Sequence, residues 1–193
     1  MGLWGASDSD ENKPKNLTTA EKKEVFANTK GWVREAGSAL TGNDNTSADE
    51  EVLVAIGGLS AALGAADITE IEFITTAFDK SDGGNIDVRV RFNEPVVVTT
   101  TGGTPSLTIT NDTPSRNLTA DYLSGTGTNE LVFRETIAAA NAATNAGDVL
   151  SIGANAMALN SGTIKDVATS TTNATITNSS AIGTAAGTIT VAA

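Results

Sequence analysis

Three oxygen-bearing side chains are closely spaced in this sequence, at Asp79, Asp82 and Asn85. Carboxylate and amide oxygens are ligands that Ca²⁺ prefers, so the spacing allows a calcium-binding loop. The same residue types, together with Gly83 and Gly84, are also those that favour a tight turn. The turn is the favoured interpretation and calcium the weaker alternative. No other metal and no cofactor is expected.

Candidates for catalysis are few. The chain of 193 residues contains neither histidine nor cysteine. Histidine is the commonest general base and metal ligand, and cysteine is required for thiol chemistry and disulfides. Glu94 stands before Pro95, and we interpret it as a polar group at a strand end. The composition therefore predicts a protein that is not an enzyme.

Apolar side chains in the N-terminal region are candidates for contacts with a partner. Residues 1–16 are polar and charged apart from Leu3 and Trp4, so they are predicted to form an extended arm that cannot bury a core alone. Tryptophans are frequent interface hot spots, which makes Leu3 and Trp4 candidate anchors. The other candidate anchors are Leu17, Phe26 and Trp32. The two aromatic residues of this second group also suit the local core of a small domain.

The net charge of −11 argues against two classes of partner. Residues 1–66 carry 6 basic and 10 acidic side chains, and residues 67–193 carry 6 and 13, so the two parts have charges of −4 and −7. Phosphate contacts need basic patches, so we expect no nucleic-acid binding. No apolar run approaches the roughly 20 residues that span a bilayer, so we expect no membrane insertion. The acidic start does not resemble a secretory signal, which predicts a protein made in the cytoplasm.

The N-terminal region is predicted to contain one helix and two strands. A capping box that begins at Thr18 predicts a short helix ending near Asn28. Two strands follow over residues 32–36 and 51–56, paired across a long polar loop. A helix over residues 47–56 is the alternative to the second strand. The small, Ala/Gly-rich stretch before residue 67 is typical of a linker.

From residue 67 onward the pattern is that of short strands. Residues 86–92 alternate apolar and charged side chains, which predicts a strand with one buried face. Glu94 and Pro95 are expected to break this strand. Eight or nine short strands at regular spacing predict an antiparallel β-sandwich over residues 67–193. The fold class is thus mainly β: an immunoglobulin-like antiparallel β-sandwich preceded by an extended N-terminal arm and a small α+β segment in residues 1–66.

Four phrases in residues 67–170 resemble the immunoglobulin-like repeat of large bacterial surface adhesins. They are Phe92-Asn93-Glu94-Pro95-Val96, Thr104 to Leu107, Tyr122 to Thr128, and Gly162 to Asp166. The resemblance implies an immunoglobulin-like fold and a module that binds or displays. After Asp166 the chain departs from the family pattern, which leaves the last strand of the repeat open. Cell-surface adhesion or glycan binding is the alternative function that this resemblance implies.

The first 60 residues resemble small virion proteins of tailed marine phages. The similarity rests on the opening Met-Gly-Leu-Trp-Gly, on Asp10 to Lys15, and on the Thr-x-Ala-Glu-Lys helix start. It implies a capsid decoration or cement protein in the phage head, assembled in the host cytoplasm. The implied partners are the major capsid protein and other copies of the chain on the capsid lattice. Contact with a host-surface glycan is a further expectation for the displayed domain.

Overall fold

Two compact units make up the chain, residues 1–64 and residues 65–193. The computed structural model describes residues 13–14, 16–28, 30–38, 45–55, 65–167 and 171–193. Within these ranges the protein is mainly β, as the strand-rich pattern predicts. The division between the units falls two residues before the boundary expected from the composition.

The N-terminal unit contains a one-turn helix and a three-stranded antiparallel sheet. Helix α1 (Thr19–Lys23) is followed by β1 (Val25–Asn28), β2 (Gly31–Arg34) and β3 (Glu51–Ala55). The sheet order is β1-β2-β3. The pairing of β2 with β3 confirms the predicted pair of strands and excludes the helix over residues 47–56.

Helix α1 begins as predicted but ends earlier. Thr18 accepts a hydrogen bond from the Glu21 amide, and Glu21 accepts one from the Thr18 amide, which completes the capping box. These hydrogen bonds hold the pKa of Glu21 below its ordinary value. The predicted extension to Asn28 is wrong, because residues 25–28 pair with β2 as a strand instead. A β-branched residue, Val25, opens that strand and is fully buried, so sheet pairing outweighs helix extension.

In its described residues the second unit is a curled β-sheet of nine strands with one short helix, and the sequence predicts eight or nine strands. The strands are β4 (Ile68–Phe73), β5 (Phe78–Asp79), β6 (Gly84–Thr99), β7 (Ser106–Asn111), β8 (Leu118–Ser124), β9 (Thr128–Ile137), β10 (Val149–Ala158), β11 (Thr163–Asp166) and β12 (Thr188–Ala192). Helix α2 (Ser180–Ala185) precedes β12 and packs on β10 and β4. Neither α1 nor α2 is long and apolar enough to cross a membrane.

The order of these strands is that of an immunoglobulin-like sandwich. One half runs β4-β6-β9-β8 and the other β7-β10-β12-β5, and the β7–β8 hairpin connects them. Strands β4-β6-β9-β8 follow the order of the ABED sheet of immunoglobulin-like domains and β7-β10-β12 that of the CFG sheet, with β5 as an added edge strand. Strand β11 adds to the free part of β6 by antiparallel pairing. The mainly β, sandwich-like fold predicted from the strand pattern is therefore confirmed, except that the parallel pairing of β5 with β12 makes the sheet mixed rather than purely antiparallel.

The first two strands of this unit join its two halves. Strand β4 pairs antiparallel with β6, whereas β5 pairs parallel with β12. The chain thus crosses from one half of the sandwich to the other between Phe73 and Phe78. The parallel pair is extended by a hydrogen bond from the Lys80 amide to the Ala192 carbonyl, at 3.2 Å.

Aliphatic side chains fill the space between the two halves. On β6 the core positions are Ile86, Val88, Val90 and Phe92, all fully buried. They pack with residues of the other strands, including Ile71, Leu107, Ile109, Leu131, Phe133, Leu150, Ile164 and Ile189. The strict alternation seen in the sequence of β6 is thus the alternation between core and outer face.

The predicted break at Glu94 and Pro95 is wrong. These residues do not end β6, which continues to Thr99 with an irregular register against β9 between Arg91 and Val96. Asn173 and Thr175 form isolated bridges. The stretch from residue 138 to 146 forms turns.

The sandwich has two distinguishable ends. At the end where residue 67 enters, called here the entry end, lie Asn93 and the β8–β9 hairpin. At the opposite end, called here the loop end, the β5–β6, β7–β8 and β9–β10 loops meet. Backbone hydrogen bonds connect these loops to one another and to β12, as from Ala140 to Lys80 and from Gly147 to Val191, both 2.8 Å.

Candidate functional site

The candidate anchor residues fall into two groups. Leu3 and Trp4 lie outside the described residues, and their contact with a partner stays a prediction. Trp32 is 1% exposed and forms the buried core of the N-terminal unit with Val25. Leu17 is half-buried and packs against this core. Because of this burial, Trp32 matches the local-core interpretation and presents almost no surface to a partner.

Phe26, the remaining candidate, lies in strand β1. Its backbone pairs with that of Val33 in β2. The neighbouring strand β3 exposes Val52, which is 42% accessible. Among the described residues of the N-terminal unit, Val52 is thus an exposed large apolar side chain, whereas Trp32 is buried.

The residues of the calcium candidate form a turn. Asp79 accepts hydrogen bonds from the amide and the hydroxyl of Ser81, both at 2.7 Å, which lower its pKa. Asn85 accepts a hydrogen bond from Thr136 at 2.8 Å, and Asp82 is exposed. These hydrogen bonds to groups of the protein agree with the interpretation of the segment as a turn. Within the described part of the chain, no three Asp, Glu, His or Cys side chains group as a metal site.

A network of ion pairs covers the outer face of β4, β6 and β9. Arg91 donates to Glu70 at 2.7 Å and also to Glu130, although it is only 3% exposed. Arg89 donates to Glu72 at 2.9 Å and lies 3.7 Å from Glu130. Each arginine thus lies between two carboxylates on neighbouring strands. Because each guanidinium is already paired with carboxylates, the network serves strand pairing better than it serves an external ligand.

The third arginine of this face repeats the arrangement nearer the loop end. Arg134 in β9 donates to both oxygens of Asp87 in β6, and this pairing raises the pKa of the guanidinium. The residue paired with Arg134 on its other side is Asp121 in β8. Glu135 has a raised pKa, first because of burial and second because of the charge of Asp121.

Three buried polar residues replace apolar ones where the core meets the entry end. Glu94 (3% exposed), Asn129 (6%) and Asp166 (0%) occupy the core-facing positions of β6, β9 and β11. Each lies two residues from a core side chain, so strand alternation turns it inward. Glu94 and Asp166 make further interactions within the chain. Glu94 and Asp166 each belong to one of the phrases that resemble the adhesin repeat, and both side chains lie in the interior of the fold.

A second polar centre lies at the loop end, around Asp148. This carboxylate is 5% exposed and accepts hydrogen bonds from Asn111, Thr113 and the Asn145 amide, each at 2.8 Å. Burial alone would raise its pKa, but these hydrogen bonds and the charge of Arg116 together lower it. Asp148 therefore ties the β7–β8 loop to the β9–β10 loop.

A cleft of about 440 Å³ opens between these two loops. It is lined by Pro114, Ser115, Arg116, Asn117, Leu118, Ala142 and Ala143. The guanidinium of Arg116 donates a hydrogen bond across the cleft to the Ala142 carbonyl. Ser115 has a φ of +66°, a left-handed conformation that is uncommon for residues other than glycine.

Neither Arg116 nor Asp148 is among the site residues predicted from the sequence. Asp148 contacts residues that precede it by 37 and 35 positions, so no local spacing connects them. The only local signal is the turn-forming Pro114-Ser115-Arg116-Asn117 between two strands.

Neither a protein-family model, nor a curated protein, nor a solved structure matches the chain.

Proposed function

We propose that the chain is a structural virion protein, a capsid decoration or cement protein of a tailed phage. Its N-terminal region binds the major capsid protein, and its immunoglobulin-like domain is displayed on the phage head. The observation that carries the proposal is the division into a small unit and a complete β-sandwich. It agrees with the two resemblances, one to virion proteins and one to displayed modules.

The small size of the N-terminal core supports a role in attachment. Among the described residues of that unit, Val25 and Trp32 form the buried cluster, with Leu17, Leu53 and Val54 packed against it. A core of this size stabilises a domain only marginally, and a partner surface adds the missing apolar burial. On a capsid lattice many weak contacts of this kind act together, so modest individual affinity is sufficient.

The chemistry of the sandwich supports display rather than catalysis. Its arginines on β6 and β9 are engaged by carboxylates of neighbouring strands, and Asp148 is engaged by the loops that it joins. The carboxylates of this network and Asp148 therefore have structural partners that account for their positions. We accordingly propose no enzymatic role.

Deletion of residues 1–16 tests attachment directly. Heads of the phage that encodes the chain are purified, and the bound copies of full-length and shortened protein are counted by quantitative mass spectrometry. We expect the shortened protein to lose most of its occupancy, because Leu3 and Trp4 are the proposed anchors. A double variant, Leu3→Ala with Trp4→Ala, separates the two side chains from the length of the arm.

The exposed residue Val52 provides a matched control. Val52→Ala removes apolar surface from the same unit and leaves the sequence of residues 1–16 unchanged. We therefore expect the arm variants to lose more occupancy than Val52→Ala. Undiminished occupancy after the deletion would reject the proposed attachment. Absence of the full-length protein from purified virions would reject the virion assignment itself.

The alternative function is a cell-surface adhesion or glycan-binding module. The cleft at the loop end is the feature that favours it, because loops at one end of such a sandwich are common binding sites. The two functions differ in genetic context. Neighbouring capsid and portal genes support the virion protein, and a neighbouring export system supports the adhesion module.

A further inference from the structure

The cleft at the loop end combines a firm frame with a defined set of hydrogen-bond donors. Its two walls are the β7–β8 loop, with residues 114–118, and the β9–β10 loop, with Ala142 and Ala143. The cleft volume of about 440 Å³ lies within the range of roughly 300–1,000 Å³ typical of small-molecule sites. The cleft is therefore large enough for one sugar ring.

The contacts of Asp148 and of Arg116 fix the two walls of the cleft relative to each other, and a contact of Asn117 fixes one wall to β7. Asp148 accepts hydrogen bonds from Thr113 on one loop and from the Asn145 amide on the other. Arg116 donates directly to the Ala142 carbonyl across the opening. Asn117 accepts a hydrogen bond from the Asn111 amide at 3.2 Å, which anchors its side chain to the end of β7. Such a frame limits the ordering cost of binding.

The polar groups in the cleft are mainly donors. The guanidinium of Arg116 has five N–H groups, of which one contacts Ala142. The amide nitrogen of Asn117 and the hydroxyl of Ser115 supply further donors, because the oxygen of the Asn117 side chain is already used. No carboxylate lines the cleft. Asp148 is buried behind it, and its charge interacts with that of Arg116.

The remaining lining is apolar and suits the C–H face of a sugar. Pro114, Ala142 and Ala143 provide it, together with the small accessible part of Leu118, which is 4% exposed. A ligand that fits both surfaces presents a carboxylate to Arg116, hydroxyl oxygens to Ser115 and Asn117, and a compact apolar face to the proline. Arginine binds planar carboxylates through paired N–H groups, which makes the acid the distinguishing feature.

We propose that this cleft binds an acidic saccharide, a sugar ring that carries a carboxylate. The site lies on the sandwich and does not depend on attachment to a capsid. The test therefore uses the full chain alone, and its failure would leave the proposed virion role in place.

The experiment is a titration with galacturonate, followed by NMR of the full-length ¹⁵N-labelled chain. Galactose, which has the same ring without the acid, is the matched control ligand. We expect saturable shifts confined to residues 113–118 and 142–145 with galacturonate. With galactose we expect an affinity at least about tenfold weaker, because the charge-assisted contact is lost.

Two variants test whether Arg116 is the residue that binds the carboxylate of the sugar. Arg116→Gln removes the charge and should reduce galacturonate affinity by about tenfold or more. Lys80→Gln removes a charge from the same end of the sandwich and should leave the affinity unchanged. The spectrum of each variant without ligand reports whether the fold is retained.

Several outcomes would overturn the proposal. Equal shifts with galactose and galacturonate would show that the acid is not recognised. Equal loss of affinity in Arg116→Gln and Lys80→Gln would show a general charge effect, and an absence of saturable shifts would show that the cleft binds neither sugar. If Arg116→Gln loses its fold, the comparison of the two sugars on the unmodified chain still decides the question.

Discussion

Arg134 and Asp87 form a two-pronged ion pair across neighbouring strands, with Nε and Nη2 of the arginine each 2.7 Å from a different carboxylate oxygen. The two residues are direct partners in the register of β6 and β9. Shifting the strands by one residue would turn one of the two side chains to the core face, so the pair specifies the register. The ion pairs of Arg89 and Arg91, which also lie on β6, help to specify the register of β6 against its neighbours in the same way.

Arg91 is predicted to contribute most among these arginines. Arg91→Leu leaves Glu70 and Glu130 facing each other without the cation between them. We expect a loss of about 2–4 kcal/mol in the free energy of unfolding, below the full cost of breaking a buried pair because both glutamates are partly exposed. Urea unfolding at neutral pH measures the loss.

Arg134→Leu is the matched control for Arg91→Leu. The Arg134 side chain is 37% exposed, against 3% for Arg91, so solvent screens its ion pair more strongly. The control should therefore lose less stability. An equal or larger loss in Arg134→Leu would contradict the assignment of the buried centre to Arg91.

Asp148 is predicted to stabilise the loop end in a pH-dependent way. Asp148→Asn places an amide group where three donors converge, so we expect a loss of about 1–3 kcal/mol at neutral pH. The pKa of Asp148 is lowered in the folded protein, so its contribution is present above the unfolded pKa and is lost as the pH falls through the folded pKa.

The difference in stability between the original chain and Asp148→Asn should thus shrink as the pH falls below about 4. Thermal unfolding at pH 7 and at stepwise lower pH provides the measurement. Asp82→Asn, at an exposed position in a neighbouring loop, should show little difference at any of these pH values. A constant difference for Asp148→Asn down to the most acidic condition would argue against the charged hydrogen-bonded state.

Trp32 is predicted to hold the N-terminal unit together. Trp32→Ala removes its largest buried side chain, a change that costs about 3–5 kcal/mol in protein cores. We expect faster hydrogen exchange of the amides in β1, β2 and β3, and unchanged exchange in residues 86–92. Val52→Ala should alter neither region, because Val52 is exposed. Protection of β2 that survives in Trp32→Ala would disagree with this prediction.

Two loops approach each other closely at Gly103, and we predict that only glycine fits there without strain. A Cβ atom at this position would lie 1.7 Å from the Asn160 carbonyl oxygen, so Gly103→Ala must displace backbone. We expect a loss of about 1–3 kcal/mol in urea unfolding, the usual cost of overpacking.

Gly153→Ala separates this clash from a general effect of replacing glycine. A Cβ atom on Gly153 would meet only the Thr110 hydroxyl, at 3.5 Å, which is an ordinary contact. We expect near-neutral stability for this control. If Gly103→Ala were equally neutral, the packing of residues 100–105 against residues 159–162 would have to be looser than described.

The parts of the fold that depend on local pattern could be predicted from the sequence. Alternation along residues 86–92 identified the core face of β6, and the capping box located the start of α1. The end of α1 could not be predicted in the same way, because it depends on the pairing of Val25 with Arg34 in another strand. Pro95 predicts an end to β6, but the irregular register against β9 accommodates it.

The polar centres depend on contacts between distant residues. Asp148 and Asn111 approach each other only because β7 and β10 are paired, with Leu150 opposite Asn111. Arg116 and Ala142 belong to different loops, and neither forms a recognisable motif with its sequence neighbours. A single sequence therefore locates the turns of the loop end but gives no means of assembling them into a cleft.

The parallel alignment of β5 with β12 determines which end of the sandwich is suitable for attaching a label. Because β12 runs toward the loop end, Ala192 pairs with Asp79 at that end. A fluorescent label placed at Ala193 would therefore share the loop end with any ligand of the cleft. Labels intended to leave the cleft accessible are better placed in the β8–β9 hairpin at exposed Thr126, at the opposite end of the domain.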